Sequence, residues 1–262
     1  MKIKFHVIAL LAILWIMGCK DDETIILNNC YSAGLNQGLI VSYSFENGSL
    51  ANDISSVGNL INMNGAVPAT DRMGNNNCAY QMNHSSDQHL ISANPTFLNN
   101  LNSFSVSAWY QPIDSTRLPG DFEVLVGRNS IFGECPDRRG EWSLGLYDCR
   151  KAVFGHNNSV WENNPVPQPQ SCEEIININT GTWKHIVAIY DNNSYKIYIN
   201  GVLQETASGI AACGTQYVAQ DIGDLFIGKL YTGKIDDILI YDRELTSQEV
   251  LELYGNAACC GK

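Results

Sequence analysis

The sequence predicts an all-β protein, a two-sheet antiparallel sandwich of the jelly-roll type. Three observations predict it: many short β-rich runs, abundant turn residues and one strong hairpin signal. The chain of 262 residues contains 22 Gly and 27 Asn, and both residue types favour turns and positive φ. Asn200-Gly201 separates two alternating runs, as expected for a two-residue hairpin. Short strands punctuated in this way are typical of sandwiches and jelly rolls.

The elements follow from local patterns along the chain. In chain order, the predicted strands are Leu39–Phe45, Phe104–Tyr110, Glu123–Gly127, Trp142–Tyr147, Trp183–Tyr190, Tyr195–Ile199, Val202–Glu205, Leu225–Gly228 and Lys234–Tyr241. One short C-terminal helix is predicted, because Thr246 and Glu249 have capping-box spacing and Leu245 and Val250 that of a hydrophobic staple. Gly255 is the natural stop of this helix, and we expect the helix to pack on an edge of the sandwich.

Composition limits the class of protein. Hydrophobic residues make up 45% of the chain, which is enough for a full core. Acidic residues outnumber basic ones by 27 to 16, which gives a net charge of −11. This balance argues against nucleic acid as a partner, because a phosphate backbone needs a basic footprint. Residues 38–255 are predicted to form one domain, followed by a cysteine-containing tail at 256–262.

The N-terminus is predicted to be a targeting signal. Residues 1–18 combine two lysines with an apolar run that is too short for a membrane span. The run ends in Leu14-Trp15-Ile16-Met17-Gly18-Cys19, which resembles the lipobox of bacterial lipoproteins and implies lipidation of Cys19. An uncleaved anchor or an ordinary signal peptide is the alternative. Residues 19–37 are then the lipidated Cys and a polar tether.

The tether begins with an acidic cluster, Lys20-Asp21-Asp22-Glu23. This cluster resembles the surface-export signal of lipoproteins in the Bacteroidetes group. We therefore expect an outer-membrane protein that is held to the membrane by its lipid anchor and displayed at the cell surface, with the periplasmic leaflet as the alternative. Several acyl chains must supply the membrane affinity, because an acidic chain gains nothing from anionic headgroups.

Eight cysteines remain after Cys19, and an even number in an oxidising compartment predicts disulfides. They are Cys30, Cys78, Cys135, Cys149, Cys172, Cys213, Cys259 and Cys260. Eight cysteines allow 105 pairings, among which sequence alone cannot choose. Cys30 with Cys259 or Cys260 is plausible if the domain ends meet, whereas Cys135–Cys149 and Cys172–Cys213 are guesses. No zinc-ligand spacing is present.

Several segments together, in order and spacing, resemble one family, the laminin-G-like jelly rolls of the concanavalin A-like lectin/glucanase superfamily. They are residues 38–45, 51–59, 70–75, 79–80, 103–109, 181–187, 195–202 and 233–245. The resemblance covers about 39–254 and is weakest over 113–175. It implies two antiparallel sheets packed face to face. Members of the family bind glycans or proteins, and some relatives are glycoside hydrolases, so fold alone does not determine function.

The resemblance also implies a possible structural Ca²⁺ between the first strand and the last. The matching positions are Glu46, Asp53 and Asp236, which offer the oxygen ligands that calcium needs. Asp236 shares parity with Ile238 and Ile240 and is therefore expected to face inward. The alternative is that Asp236 accepts hydrogen bonds from backbone N–H groups without a metal.

Glycan binding requires aromatic rings that stack on sugars. The candidates are Trp161, in a proline-containing loop at 156–173, together with Trp142 and Tyr147. Trp161 has an alternative role as a lid folded onto the core. Trp109 and Trp183 match family core positions, and we expect them to pack inside.

Enzyme chemistry is the least favoured class. The tight E-x-D-x-E motif of the glucanase relatives is absent, although a glycosidase needs two carboxyls across the scissile bond. His185 is expected to be structural. The sequence thus predicts a non-catalytic, cell-surface recognition lipoprotein. A carbohydrate partner is the first choice, a protein-binding adhesion or assembly module is the alternative, and a glycoside hydrolase-like enzyme is third.

Overall fold

The computed structural model describes residues 30–99, 101–113, 122–128, 138–139, 141–155, 159–163, 172, 174, 179–209, 217–218 and 223–260. Within these ranges the chain forms a sandwich of two antiparallel sheets, which confirms the predicted fold class. The predicted signal peptide and Cys19 lie outside the described residues. Over the ranges given, no helix combines the length and the apolarity that crossing a membrane requires.

The described residues form seventeen strands, and two α-helices are described over their whole length. The strands are β1 Leu39–Tyr43, β2 Ile61–Met63, β3 Val67–Ala69, β4 Ala79–Met82, β5 His89–Ser92, β6 Ser103–Pro112, β7 Glu123–Arg128, β8 Arg138–Arg139, β9 Trp142–Tyr147, β10 Lys151–Gly155, β11 Ser159–Trp161, β12 Lys184–Asp191, β13 Ser194–Ile199, β14 Val202–Ser208, β15 Tyr217–Val218, β16 Leu225–Ile227 and β17 Gly233–Tyr241. The helices are α1 Ala33–Asn36 and α2 Ser247–Gly255.

Two sheets account for nearly all of these strands. Sheet A has the order β14-β13-β12-β6-β17-β4-β3, with β1 also paired to β17. Sheet B has the order β11-β10-β9-β7-β16-β5-β2. The short β8 and β15 form a separate parallel pair. The main core lies between the two sheets, where alternate residues of facing strands meet, as sandwich geometry requires.

The predicted hairpin joins β13 to β14. Asn200 and Gly201 have φ values of 50° and 77°, the left-handed pair that a type I′ turn requires. The Asn200 side chain also accepts a hydrogen bond from the His185 backbone N–H at 2.9 Å. The turn residue therefore ties the hairpin to the neighbouring strand β12.

The predicted C-terminal helix is confirmed as α2. The Thr246 hydroxyl accepts from the Glu249 N–H, and the Glu249 carboxylate accepts from the Thr246 N–H, which completes the capping box. Leu245 and Val250, the predicted staple residues, are both buried. With Leu253 they form an apolar cluster on the outer face of sheet A, so α2 covers that face rather than an edge.

Every predicted strand exists, with ends that agree within three residues. Strands β2 to β5, β8, β10, β11 and β15 were not predicted. Each has only two to five residues, too few to show a hydrophobic period of their own. Their pairing with neighbouring strands supplies the order that their sequence lacks.

The C-terminal tail is tied to two distant parts of the chain. Cys30 pairs with Cys259, with 5.5 Å between their Cα atoms, which confirms the predicted meeting of the domain ends. Cys78, just before β4, pairs with Cys260. Leu35 of α1 is fully buried. The part of the predicted tether from residue 30 onward therefore belongs to the folded domain.

A third disulfide, Cys149–Cys172, corrects two of the guessed pairs. The Cα atoms of these residues lie 4.9 Å apart, so neither Cys135–Cys149 nor Cys172–Cys213 is formed. Cys149 occupies the turn between β9 and β10 with φ of 68°, and this turn brings it to Cys172. Cys135 and Cys213 themselves lie outside the described residues.

Candidate functional site

Trp142, one of the three predicted ligand-binding aromatics, is a core residue. Its side chain is only 2% exposed and packs on Phe104, with ring centroids 5.4 Å apart. It shares its face of β9 with Leu144 and Leu146, which also face the core. The prediction that Trp142 contacts a ligand is therefore wrong, because strand alternation turns it inward.

Tyr147 and Trp161 lie together on the outer face of sheet B. Their ring centroids are 5.8 Å apart, and both rings pack against a small cluster of Phe122, Val124 and Val153. Trp161 ends strand β11 opposite Val153 rather than standing in a loop. We call Tyr147 and Trp161 the sheet-B aromatic pair.

A buried ion pair lies near the sheet-B aromatic pair. Arg150 Nε donates to Glu123 Oε2 at 2.9 Å, and both side chains are almost fully buried. Arg150 also donates to the Thr180 hydroxyl at 3.4 Å. The carboxylate of Glu123 is thus neutralised by a fixed guanidinium, as a buried charge requires.

A second aromatic group lines an open cleft beside the C-terminal end of α2. The cleft has a volume of about 380 Å³ and is lined by Arg72, Met73, Trp109, Trp183, Tyr254, Gly255, Asn256 and Ala257. We call it the α2 cleft. Its volume is near the lower end of small-molecule sites, which span roughly 300–1,000 Å³.

The three aromatic residues of the α2 cleft differ in what their rings contact. Trp109 stacks on Tyr254 with centroids 5.7 Å apart and an interplanar angle of 17°, and its ring also contacts His185 and Arg72. Tyr254 is 38% exposed. Trp183 is half-buried, and within the described residues its side chain makes no hydrogen bond or ring contact. Trp183 therefore presents an aromatic surface with no ring stacked against it.

The floor of the α2 cleft contains a buried charge cluster. Arg72 Nη1 donates to Asp236 Oδ2 and to Asp237 Oδ2, each at 2.7 Å, and the Arg72 side chain is 5% exposed. Arg72 Nη2 donates to the Asn256 carbonyl at 3.3 Å. The guanidinium carbon lies 4.4 Å from the Trp109 ring centroid, an attractive cation–π distance. The Arg72 guanidinium therefore contacts two carboxylates, the Trp109 ring and the backbone of the residue that follows α2.

Burial dominates the electrostatics of this cluster. Desolvation raises the pKa of Asp236 well above its usual range, and the neighbouring Asp237 raises it further. The pKa of Asp237 is also raised by burial, although Arg72 opposes this. A low-dielectric site disfavours a second negative charge beside one guanidinium. The pair thus favours sharing a proton over carrying two full charges.

His185 lies beside the same cluster and is neutral. Burial, together with the nearby charge of Arg72, lowers its pKa to about 3. Its Nε2 is 2.9 Å from the Ser107 hydroxyl, and its ring contacts Trp109. The structure agrees with the expected structural role, since His185 is only 1% exposed.

The wall of the α2 cleft is held by the C-terminal tail. Asn256 and Ala257 precede the two disulfide-bonded residues Cys259 and Cys260. The Cys259 N–H donates to Asp237 Oδ2 at 3.3 Å. The cleft, its charged floor and the two disulfides are therefore one connected structure.

The predicted calcium ligands do not assemble as a set of three. Glu46 follows β1, and Asp53 Oδ2 already accepts from the Ser42 hydroxyl at 2.9 Å and the Ser44 N–H at 2.8 Å. Asp236 is bound to Arg72 instead. Across the described ranges, no group of carboxylates that includes these three lies within 4.8 Å. Calcium binding stays a prediction, without Asp236 in its ligand set.

The predicted orientation of Asp236 is also wrong. Asp237 has φ of 41°, and the register of β17 against β6 shifts between Asp236 and Leu239. This bulge changes the parity, so Ile238 faces the core while Asp236 pairs with Trp109 on the outer face. A bulge of this kind leaves no clear mark in an alternating sequence.

Sequence analysis missed the α2 cleft because it assigned Trp109 and Trp183 to the core. Strand alternation could have predicted the position of Trp109. Phe104, Val106 and Ala108 face the core, so the odd-numbered residues of the same strand face outward. Trp183 precedes β12 and has no such pattern. Arg72 is 164 residues from Asp236, and no local feature predicts their contact.

The comparisons with known proteins establish the family. A family model, Laminin_G_3, described as the concanavalin A-like lectin/glucanases superfamily, matches residues 84–251. The match spans more than half of the chain, and the protein belongs to this superfamily. No curated protein sequence matches this chain significantly.

Solved structures share the fold at low identity. Domain 4 of AbnA, a GH43 extracellular arabinanase from Geobacillus stearothermophilus, in complex with arabinotriose, matches with a TM-score of 0.57 and 19% identity. The match covers 82% of this chain and 98% of that domain.

Two botulinum neurotoxin binding domains match in the same way. The serotype D domain has a TM-score of 0.57 and 14% identity, and the match covers 83% of this chain and 51% of that one. The binding domain of neurotoxin DC, in complex with rat synaptotagmin II, has a TM-score of 0.56 and 15% identity, with coverages of 83% and 51%. This chain thus spans about half the length of these toxin domains. Such likenesses show the fold, which sugar-processing enzymes and binding domains share.

Proposed function

We propose that this protein is a non-catalytic recognition module that binds carbohydrate in the α2 cleft. The observation that carries the proposal is the arrangement of Trp183 and Tyr254 around an open volume of about 380 Å³. Tyr254 is partly exposed, and Trp183 has no ring partner among the described residues. Two aromatic surfaces of this kind suit the apolar faces of sugar rings.

Polar groups at the cleft complement these rings. The Asn256 side chain lines the cleft and has no hydrogen-bond partner in the described part of the chain. An amide both donates and accepts, so it can pair with sugar hydroxyls. Trp109 supports Tyr254 from beneath by stacking. The cleft therefore combines a rigid aromatic surface with one adaptable polar group.

The carboxylates of the cleft argue against hydrolysis. A glycosidase needs an acid and a nucleophile or base that reach the scissile bond. The side chains of Asp236 and Asp237 are 0% and 5% exposed, and both are bound to Arg72. A sugar in the cleft cannot reach them without unfolding the floor.

The neighbours make a sugar ligand reasonable for this fold. The arabinanase domain was solved with arabinotriose, and a related neurotoxin structure describes interaction with two ganglioside molecules. Arabinotriose and the gangliosides are ligands of the arabinanase domain and the neurotoxin, respectively. They support a carbohydrate class and name no particular sugar for this chain.

The test compares two tryptophans on opposite sheets. Glycan binding of the domain is screened on a polysaccharide array, and the best ligand is titrated calorimetrically against wild type, Trp183→Ala and Trp161→Ala. Trp183→Ala should bind the ligand about tenfold or more weakly than wild type, because the variant lacks an aromatic side chain that contacts the sugar. Trp161→Ala should bind as wild type does.

The outcomes separate the candidate sites. Loss of binding in Trp161→Ala with an intact Trp183→Ala would move the site to the sheet-B aromatic pair. Absence of any glycan ligand for wild type would contradict carbohydrate recognition and favour a protein partner. That second candidate has its own observation, because Leu251, on the same helix as Tyr254 of the cleft, is 50% exposed.

We also propose that the protein is held at the outer membrane by a lipid on Cys19. The described chain begins at Cys30, which is joined to Cys259 beside the α2 cleft. A tether that ends there holds the cleft side of the domain to its anchor point. Cys19→Ala should move the protein from the membrane fraction to the soluble fraction, and continued membrane association would contradict lipidation.

A further inference from the structure

We infer that the α2 cleft accepts uncharged sugars and excludes acidic ones such as uronic acids and sulfated residues. The inference rests on the proposed function and names the ligand class for the same site. It follows from how the one charged residue that lines the cleft is used. Aromatic rings alone bind acidic and neutral sugars alike, so charge decides between them.

Among the described residues, eight line the cleft, and Arg72 is the single charged one of these eight. Binding sites for carboxylate or sulfate groups use arginine as a two-pronged donor. Here Nη1 donates to both Asp236 and Asp237, and Nη2 donates to the Asn256 carbonyl. The Arg72 side chain is also 95% buried. The donors that make these three contacts are directed into the protein and away from a ligand.

The two aspartates also cancel the positive charge of Arg72. Two aspartates face one guanidinium, and each aspartate keeps one buried oxygen, Oδ1, that has no hydrogen-bond partner in the described part of the chain. The cluster therefore offers an anion no net positive charge. An acidic sugar in the cleft would lose part of its hydration without gaining a cationic partner, which is unfavourable.

The other lining residues offer no compensation. Met73, Trp109, Trp183 and Tyr254 present thioether and aromatic surface, and Asn256 presents an uncharged amide. The whole chain, with a net charge of −11, adds a repulsive field for anions. Neutral sugar rings lose nothing to either effect, because they bring only hydroxyls and C–H faces.

The test measures binding of matched neutral and acidic polysaccharides. Neutral arabinan, galactan and xylan are compared with polygalacturonate, alginate and dextran sulfate on the wild-type domain, at low and at high ionic strength. We expect ligands only among the neutral set, with affinities that change less than about twofold with salt. An acidic polysaccharide that binds more tightly than every neutral one would overturn the charge inference alone.

A rim substitution tests charge as the cause. Met73 is 61% exposed, so Met73→Lys adds a positive charge at the cleft without disturbing the core, and Met73→Gln is the matched uncharged control. Met73→Lys should gain several-fold affinity for polygalacturonate, lost again in high salt, while Met73→Gln should not. Equal exclusion of acidic glycans by both variants would contradict the inference. A wild-type domain that binds neither class would instead contradict the proposed function.

Discussion

The sheet-B aromatic pair and the α2 cleft are built from similar parts. Each places aromatic rings on the outer face of a sheet, and each lies near a buried arginine paired with carboxylates. They differ in what the aromatic rings pack against. Tyr147 and Trp161 contact each other and pack on an apolar cluster. Trp183 lies at an open volume, and no ring of a described residue stacks on it.

This difference shows that aromatic content alone does not identify a binding surface. The aromatic pair on sheet B completes a small apolar cluster, which is a packing role. At the α2 cleft, α2 covers only part of the outer face of sheet A, and the uncovered edge leaves Trp183 and Met73 accessible. A binding site therefore depends on where a covering element ends.

The largest expected effect comes from removing either buried arginine. Arg72→Met leaves Asp236 and Asp237 without a cation, and Arg150→Met does the same to Glu123. Each should lower the free energy of unfolding by about 3–5 kcal/mol, because an unpaired buried charge remains. Urea denaturation with the disulfides intact measures this.

Glycan binding separates the two arginine variants. At a temperature where both are folded, Arg72→Met should bind sugar more weakly, because Trp109 and Asn256 lose their shared contact. Arg150→Met should keep wild-type affinity. The opposite pattern would place ligand recognition at sheet B.

An intermediate effect is expected from pH at His185. Its pKa is lowered to about 3 from an unfolded value of 6.5, so the unfolded state binds more protons between these values. This contribution to stability is complete above pH 6.5 and is lost as the pH falls. His185→Gln should lose less stability than wild type between pH 7 and about pH 4.5, by about 2–3 kcal/mol.

The same measurement on Trp161→Ala serves as the control, because that residue lies on the other sheet and its removal takes away no titratable group. It should keep the acid sensitivity of wild type. The pKa of Asp236 is raised, which acts with the opposite sign, since its contribution falls as the pH rises. Identical acid sensitivity of wild type and His185→Gln would show that His185 is not held neutral.

The smallest effect is expected at the start of α2. Thr246→Ala removes the capping hydroxyl from the Glu249 N–H and should cost about 1 kcal/mol of stability. Sugar affinity should stay within about twofold of wild type, because the cleft is at the other end of the helix. A large loss of binding would mean that the position of α2 depends on its cap; Ser247→Ala, outside the capping box, is the comparison.

Much of the fold was predictable because its signals are local. The hairpin at Asn200-Gly201, the capping box of Thr246 and Glu249, and the alternation within long strands each depend on residues a few positions apart. The short strands β2 to β5 were not predicted, since three or four residues contain too little pattern. Pairing with neighbours decides their structure.

For the candidate site, the sequence predicted a surface built from aromatic residues but not which residues form it. An aromatic ligand surface on the jelly roll stays a prediction, whereas the structure places Trp142 in the core and Trp183 at the cleft. Both outcomes depend on the packing of elements far apart in sequence. The sequence predicts a disulfide between Cys30 and either Cys259 or Cys260, and the structure selects Cys259. Cys149–Cys172 depends on a turn geometry that composition does not reveal.

By itself, the sequence determined the class of fold, its hairpin, its C-terminal helix and its acidic, disulfide-bonded character. Only the tertiary structure decided that Arg72 pairs with Asp236 and Asp237, and that a bulge at Asp237 turns Asp236 to the outer face. Local elements follow from short-range sterics and hydrogen bonds. The cleft arises where α2, sheet A and the tail meet, and such long-range contacts are selected by burial of the whole chain.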